Sequence, residues 1–213
     1  MKTLSIGLIS LFSMNLLANS YLQNMSLEND YTRIFKANFT TEIKSFSTDG
    51  CSAFPDGIIP TQTSEWLDCC INHDIDYWIG GEKKLKKLAD KNLGYCVSNS
   101  ATPFLGISMD LGVRVGGLPS PLNLDWQWGY GWDYAIGFDS LIEQQLESVA
   151  SKYDTVIDAV IKEQSRLSKA QMSNIARKLR SKLGELYPFL GEEQNEKLLE
   201  YNRIKKRIDL LEM

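Results

Sequence analysis

One stretch of the chain gathers most of the residues that could do chemistry at neutral pH. Residues 69–77 read CCINHDIDY and contain two of the four cysteines and the only histidine among 213 residues. An imidazole accepts protons near neutral pH, a carboxylate can hold a metal ion, and two cysteines can anchor the segment covalently. Any histidine-dependent chemistry of this protein must therefore take place at His73.

The spacing of Cys69 and Cys70 indicates that each has a different disulfide partner. Neighbouring residues on a helix point about 100° apart, so Cys69 and Cys70 cannot serve the same neighbour. The remaining cysteines are Cys51, in a loop dense in turn residues, and Cys96. Each would bond one member of the pair, and the spacing leaves open which one.

One pairing would complete a proton-transfer pair. If Cys69 joins Cys96 and their helices are antiparallel, His73 lies about 6 Å along one helix from its cysteine and Asp90 about 9 Å along the other. The two side chains would then be close enough to hydrogen-bond. A carboxylate in that place fixes the imidazole tautomer and stabilises the protonated ring, as it does behind a general base.

The matching pairing would build a metal site. If Cys70 joins Cys51, the loop around Cys51 is pinned over the side of the helix that carries Asp74. Calcium takes carbonyl and carboxylate oxygens together, so Asp74 and carbonyls of residues 50–56 predict a calcium site. Two other interpretations are a zinc site of cysteines and histidine and a purely structural histidine.

Composition narrows the classes of function. A chain with 43% hydrophobic and 23% charged residues is typical of a globular protein. The net charge of -4 and the sequence pI near 5.2 argue against nucleic-acid binding.

Residues 1–20 combine one lysine, a short apolar run and small residues, which predicts a signal peptide cleaved near Ser20. The alternative is a buried N-terminal helix. A secreted or periplasmic protein would be oxidised, which favours disulfides.

Hydrophobic periodicity predicts a mainly helical chain. The predicted helices cover residues 25–39, 60–79, 82–97, 142–160, 170–187 and 192–211. The lysines at 83, 84, 86 and 87 are predicted to form a solvated face. Residues 98–138 are rich in glycine and proline and are predicted to be loop or short β structure. Within them, Trp126, Trp128, Tyr130 and Trp132 favour either a membrane-docking surface or an aromatic core.

The pattern Cys-Cys-x-x-His-Asp-x-x-Tyr closely resembles the active-site helix of secreted phospholipase A2. The resemblance extends over residues 46–97: Asp90 precedes Cys96 by the family's spacing, and Gly50 before Cys51 is similar to the start of the family's calcium loop. The Phe-Pro-Asp-Gly sequence of this loop is more similar to bacterial members.

The resemblance implies calcium-dependent hydrolysis of the sn-2 ester of glycerophospholipids. It implies that His73 is the general base, that Asp90 orients it and that Tyr77 hydrogen-bonds to Asp90. The implied calcium ligands are the Asp74 carboxylate and the carbonyls of Gly50, Ser52 and Phe54, and the implied disulfides are Cys51–Cys70 and Cys69–Cys96.

The expected fold is all-α: a phospholipase A2-like core of two antiparallel helices and a calcium loop, held by two disulfides. Residues 21–138 would form the catalytic domain, acting on a phospholipid membrane or micelle. Residues 139–213 would form a helical C-terminal region that could bind a protein partner or mediate self-association. The alternative function is a phospholipase A2-like lipid-binding or partner-binding protein without turnover, because a family fold does not guarantee activity.

Overall fold

Helices dominate the part of the chain that the computed structural model describes, which is residues 42–51, 54, 57, 64–119 and 127–213. Within these residues the only β pairing is one antiparallel bridge between Ile43 and Trp132, so the expected all-α class is confirmed. The helices are α1 (Leu67–Ile79), α2 (Lys83–Ser100), α3 (Pro103–Gly116), α4 (Glu143–Lys152), α5 (Asp154–Glu163), α6 (Lys169–Leu186) and α7 (Gln194–Leu210), with short 3₁₀ helices at Gln164–Arg166 and Tyr187–Phe189.

Helix α1 lies at the centre and is buried on almost every side. One side of the helix packs in the main hydrophobic core, and the side with the cysteines packs in a smaller hydrophobic cluster around the disulfides. The helix begins at Leu67, later than predicted, because the Leu67 amide closes a turn onto the Ser64 carbonyl. It ends at Gly80, whose φ of 75° is left-handed and where a Cβ would lie 2.8 Å from Ile136.

Helix α3 was not predicted. Loop or short β structure was expected for residues 98–138, because glycine and proline interrupt the pattern there. Thr102 caps the helix with its side chain, and Pro103 occupies the first turn, where its missing N–H is not needed. Gly106 allows close packing, since a Cβ there would lie 2.2 Å from the Gly94 carbonyl of α2.

The tryptophan-rich segment after α3 covers the end of α1. Trp128 and Trp132 are 1% and 0% exposed, and their indole N–H groups donate to the carbonyls of Gly81 and Ile79 at 2.7 and 2.8 Å. Carbonyls at a helix C-terminus lack partners within the helix. The tyrosine between the two tryptophans is also buried. The core interpretation is therefore confirmed for these three residues and membrane docking by them is wrong, while Trp126 lies outside the described residues.

The C-terminal helices complete the main core. Helices α6 and α7 match their predictions closely, but the single helix predicted for residues 142–160 is wrong, because the chain divides at Tyr153 into α4 and α5. The break lets the buried Tyr153 hydroxyl donate to the Leu179 carbonyl of α6 at 2.9 Å. One core contains Ile43, Trp78 and Leu179, from both sides of the expected boundary at residue 138.

The predicted signal peptide and the predicted helix at residues 25–39 lie outside the described residues. None of the helices described here is long and apolar enough to cross a bilayer.

Candidate active site

Two disulfides join α1 to neighbouring segments. Cys70 is bonded to Cys51 in the loop that precedes α1, and Cys69 is bonded to Cys96 near the end of α2. Both expected pairings are confirmed, and no cysteine is free. Two adjacent residues of one helix thus hold two different segments against it.

Helices α1 and α2 bring His73 and Asp90 together, as expected. His73 Nε2 lies 3.4 Å from Asp90 Oδ1, a long hydrogen bond, and the Tyr77 hydroxyl donates to the same oxygen at 2.6 Å. The rings of His73 and Tyr77 are 4.0 Å apart between centroids. With Nε2 facing Asp90, the other ring nitrogen, Nδ1, lies 3.8 Å from Asp74 Oδ1.

Lys86 belongs to the site and was missed by the sequence analysis. A solvated face was expected for the lysines at 83, 84, 86 and 87, but Lys86 is 4% exposed. Its ammonium donates to Asp90 Oδ2 at 2.9 Å and to the Val113 carbonyl of α3 at 3.0 Å. The spacing offered a clue, because a lysine four residues before an acid lies beside it on a helix.

The pKa values of His73 and Asp90 move in opposite directions. Burial by itself lowers the pKa of His73, but the neighbouring Asp74 and Asp90 carboxylates outweigh it and raise the pKa above 6.5. Burial by itself raises the pKa of Asp90, but hydrogen bonds from His73, Tyr77 and Lys86, with the Lys86 charge, lower it. Asp90 is therefore ionised throughout the neutral range.

Asp74 lies on the other side of the imidazole and contacts the loop before α1. Its Oδ2 accepts a hydrogen bond from the Thr48 hydroxyl at 2.6 Å, and the Thr48 oxygen accepts one from the Gly50 amide at 3.1 Å. Burial, which outweighs the attraction to the His73 ring and the hydrogen bond from Thr48, raises the pKa of Asp74, and the charge of Asp49 adds to this shift. Thr48 was not predicted, because its sequence distance from Asp74 hides the contact.

The groups around Asp74 fit a calcium ion. Among the described residues no lysine or arginine pairs with Asp74, whose side chain is 18% exposed, and a largely buried carboxylate without such a partner is costly. Gly50 and Phe54, two of the expected backbone ligands, line the same cavity as Asp74, and Ser52 lies outside the described residues. Carboxylate, carbonyl and hydroxyl oxygens are hard ligands of the kind that calcium binds.

The site lies on the wall of a cavity of about 450 Å³. His73, Asp74 and Tyr77 form part of this wall, and α3 supplies another, mainly apolar part. The residues of α3 that line it are Met109, Gly112, Val113 and Gly116. A second cavity of about 570 Å³ contains none of the candidate catalytic or metal-binding residues.

A second group of potential metal ligands does not form a site. The ligand atoms of Asp68, Cys69 and Cys96 lie within 4.8 Å of one another. However, the two sulfurs are bonded together, and the Asp68 carboxylate accepts hydrogen bonds from the amides of Gln171 and Asn174. Because every cysteine is in a disulfide, the zinc interpretation is wrong.

Comparisons with known proteins match no family model, no curated protein and no solved structure. The resemblance to secreted phospholipase A2 therefore depends on the residues of the site alone.

Proposed function

We propose that this protein is a calcium-dependent phospholipase A2, similar to bacterial secreted members, that hydrolyses the sn-2 ester of glycerophospholipids. The observation that carries the proposal is the position of His73 between Asp90 and Asp74 on the wall of a partly apolar cavity. A proton acceptor, an orienting carboxylate and an anionic metal ligand then serve one reaction centre.

His73 is the general base of the proposed reaction. Because Nε2 faces Asp90, Nδ1 accepts a proton from the water molecule whose oxygen attacks the ester carbonyl carbon. The ionised Asp90 stabilises the imidazolium that results. When the ester C–O bond breaks, the proton passes to the departing glycerol oxygen, which yields a fatty acid and a lysophospholipid.

Calcium would be held by the Asp74 carboxylate and by the carbonyls of Gly50, Ser52 and Phe54. When bound, it polarises the ester carbonyl and stabilises the negative charge that develops on its oxygen. The Ser52 amide would add a hydrogen bond to that oxygen. The support for this assignment is that Asp74, whose side chain is 18% exposed, has no lysine or arginine partner among the described residues.

The outer face of α3 supports a lipid surface as the source of substrate. Phe104, Ile107, Leu111 and Val115 follow a 3-4-4 spacing and are all exposed, whereas Met109 on the other side of the helix is buried. A continuous apolar face in water marks a binding surface. Because α3 also lines the cavity, lipid docked on it would lie beside the candidate site.

Release of fatty acid from sn-2-labelled phosphatidylcholine vesicles tests the reaction. We expect release by the wild type with calcium, and none above background with a chelator or in His73→Gln, provided that this variant melts like the wild type. Equal release in all samples would contradict the mechanism. A wild type that binds vesicles without releasing fatty acid would favour the non-catalytic alternative.

Paired variants test the α3 surface. Ile107→Ser/Leu111→Ser should lose sedimentation with vesicles but keep the turnover of short-chain phospholipid monomers. Leu198→Ser/Leu199→Ser is the matched control, because it removes two exposed leucines of α7. Equal vesicle binding by both double variants would exclude α3 as the docking face.

A further inference from the structure

Three side-chain donors converge on Asp90, and one of them is a lysine. His73 and Tyr77 face Asp90 Oδ1, whereas Lys86 donates to Oδ2 at 2.9 Å. The Lys86 and Asp90 side chains are 5% and 3% exposed. Lysine is almost never buried so completely unless it is paired, and here its partner is the carboxylate that faces the candidate base.

Lys86 also ties α3 to this carboxylate. Its ammonium donates to the Val113 carbonyl at 3.0 Å, and the Tyr77 hydroxyl lies 3.2 Å from the same carbonyl. Val113 is in the last turn of α3, where the carbonyls form the negative end of the helix dipole. The ammonium is therefore held by a carboxylate and by a helix terminus together.

These contacts fix the rotation of the Asp90 carboxylate. With Oδ2 held by Lys86, Oδ1 faces Tyr77 and His73. Without the ammonium, only the Tyr77 hydroxyl and the long contact with His73 would hold the carboxylate, which could then turn further about its Cβ–Cγ bond. Removing one partner of a buried ion pair also leaves the other charge uncompensated.

We propose that Lys86 is a positioning residue: it holds Asp90 in the orientation that keeps the proton of neutral His73 on Nε2, and it couples the end of α3 to that pair. The consequence for turnover rests on the proposed function. The consequence for the imidazole tautomer does not, because it follows from the hydrogen bonds alone.

Lys86→Met tests the effect on turnover, because methionine keeps an unbranched side chain without the charge. Lys87→Met, at an exposed position of the same helix, is the matched control. With short-chain phosphatidylcholine monomers we expect kcat to fall about 10- to 100-fold in Lys86→Met, as for other residues that orient a ligand or base, while KM and the calcium dissociation constant stay within about twofold. Lys86→Arg keeps a cation and N–H donors and should recover part of kcat.

Nuclear magnetic resonance tests the tautomer independently of activity. The chain has one histidine, so long-range ¹H–¹⁵N spectra report on His73 alone. At a pH where the ring is neutral, the wild type and Lys87→Met should show the Nε2–H tautomer, and Lys86→Met a mixture of both tautomers. A wild type with the ordered tautomer but no hydrolysis would contradict the proposed function and leave the positioning role standing.

A folded Lys86→Met protein with wild-type kcat and a wild-type tautomer would overturn the proposal. A fall in kcat with an equal loss of calcium affinity would also overturn it, because that result indicates general disruption of the site. If Lys86→Met does not fold, Lys86→Gln replaces it in both measurements. Its amide retains a donor without the charge, so we expect a smaller fall in kcat and a partial loss of tautomer order, and wild-type values of both would overturn the proposal that the ammonium holds Asp90.

Discussion

Asp74 and Asp90 flank the same imidazole but occupy opposite electrostatic environments. Asp90 accepts hydrogen bonds from the Tyr77 hydroxyl and the Lys86 ammonium, and its pKa is lowered. Asp74 accepts one from the Thr48 hydroxyl, has no lysine or arginine partner in the described ranges, and its pKa is raised. Asp90 is paired with a lysine of the protein itself, whereas Asp74 has only the titratable His73 ring beside it, at 3.8 Å.

This difference separates two roles for chemically identical groups. A carboxylate with a buried internal cation keeps its charge and orientation at neutral pH without an ion from solution, which suits the positioning of a base. A largely buried carboxylate without a lysine or arginine partner raises the free energy of the folded state when it ionises. A cation from solution therefore stabilises a carboxylate like Asp74 more than one like Asp90. The same comparison thus supports both the proposed calcium site and the proposed orienting acid.

Asp74→Asn should give the largest effect, because it removes the charge that the proposed calcium site needs. We expect sn-2 hydrolysis to fall about 1000-fold or more and calcium binding to disappear in calorimetry. The calcium-free variant should be at least as stable to urea as the wild type, because no buried charge remains at this position. Calcium binding that survives the substitution would remove Asp74 from the metal site.

Asp90→Asn should have the opposite effect on stability, because it leaves the buried Lys86 ammonium without its carboxylate. We expect the free energy of unfolding in urea to fall by about 3–5 kcal/mol, while calcium binding persists. Asp110→Asn is the matched control: it breaks another i,i+4 pair, with the exposed Arg114, and should cost about 0–1 kcal/mol. Equal losses in the two variants would mean that Asp90 and Lys86 are not a buried pair in solution.

Helix periodicity explains why part of this comparison could be predicted from the sequence. His73 and Asp74 follow their cysteines by four residues each, and the disulfide to Cys96 brings Asp90 within reach. Lys86 could not be assigned to the site, because its burial depends on α3. The glycines of α3 prevented the prediction of that helix. Those glycines interrupt an apolar pattern, and only the close packing of α3 on α2 shows why the helix tolerates them.

In the fold too, features that depend on contacts distant in sequence could not be predicted. Helices α6 and α7 have regular apolar spacing and were predicted with small errors at their ends. The break at Tyr153 was not predicted, because it depends on a contact with α6. Thr48 and Trp132 were missed as partners of α1 for a similar reason: their hydrogen bonds join residues distant in sequence.

Calcium should stabilise the protein by less than the Asp90→Asn substitution destabilises it. A ligand that binds only the folded state at 100 times its dissociation constant adds about 2.7 kcal/mol, which corresponds to about 5–10 °C in Tm for a chain of this size. Calorimetry with calcium or with a chelator measures this shift. Asp90→Asn should show the shift and Asp74→Asn should not, and a shift of equal size in both variants would place the ion elsewhere.

The smallest expected effect is the pH dependence of stability without calcium. The pKa of Asp74 is raised above 3.8, so its ionisation costs the folded state free energy as the pH rises above that value. The raised pKa of His73 adds stability that is complete below pH 6.5 and is lost as the pH rises through the raised value. The lowered pKa of Asp90 adds stability above pH 3.8 that is lost only in stronger acid. These three groups together predict lower stability at about pH 8 than at about pH 5.

Urea unfolding at the two pH values measures the part due to Asp74, including its effect on His73. Each unit of difference in pKa between the folded and unfolded states is worth about 1.4 kcal/mol. Asp74→Asn removes the ionisation of Asp74 and also its part in raising the pKa of His73, and both changes make the loss of stability with rising pH smaller. The decrease in unfolding free energy should therefore be smaller in Asp74→Asn, and saturating calcium should reduce it in the wild type, because a bound cation stabilises the ionised carboxylate. An equal decrease in unfolding free energy between the two pH values in Asp74→Asn and in the wild type would mean that ionised Asp74 does not destabilise the folded state. The contrast with Asp90 would then not hold.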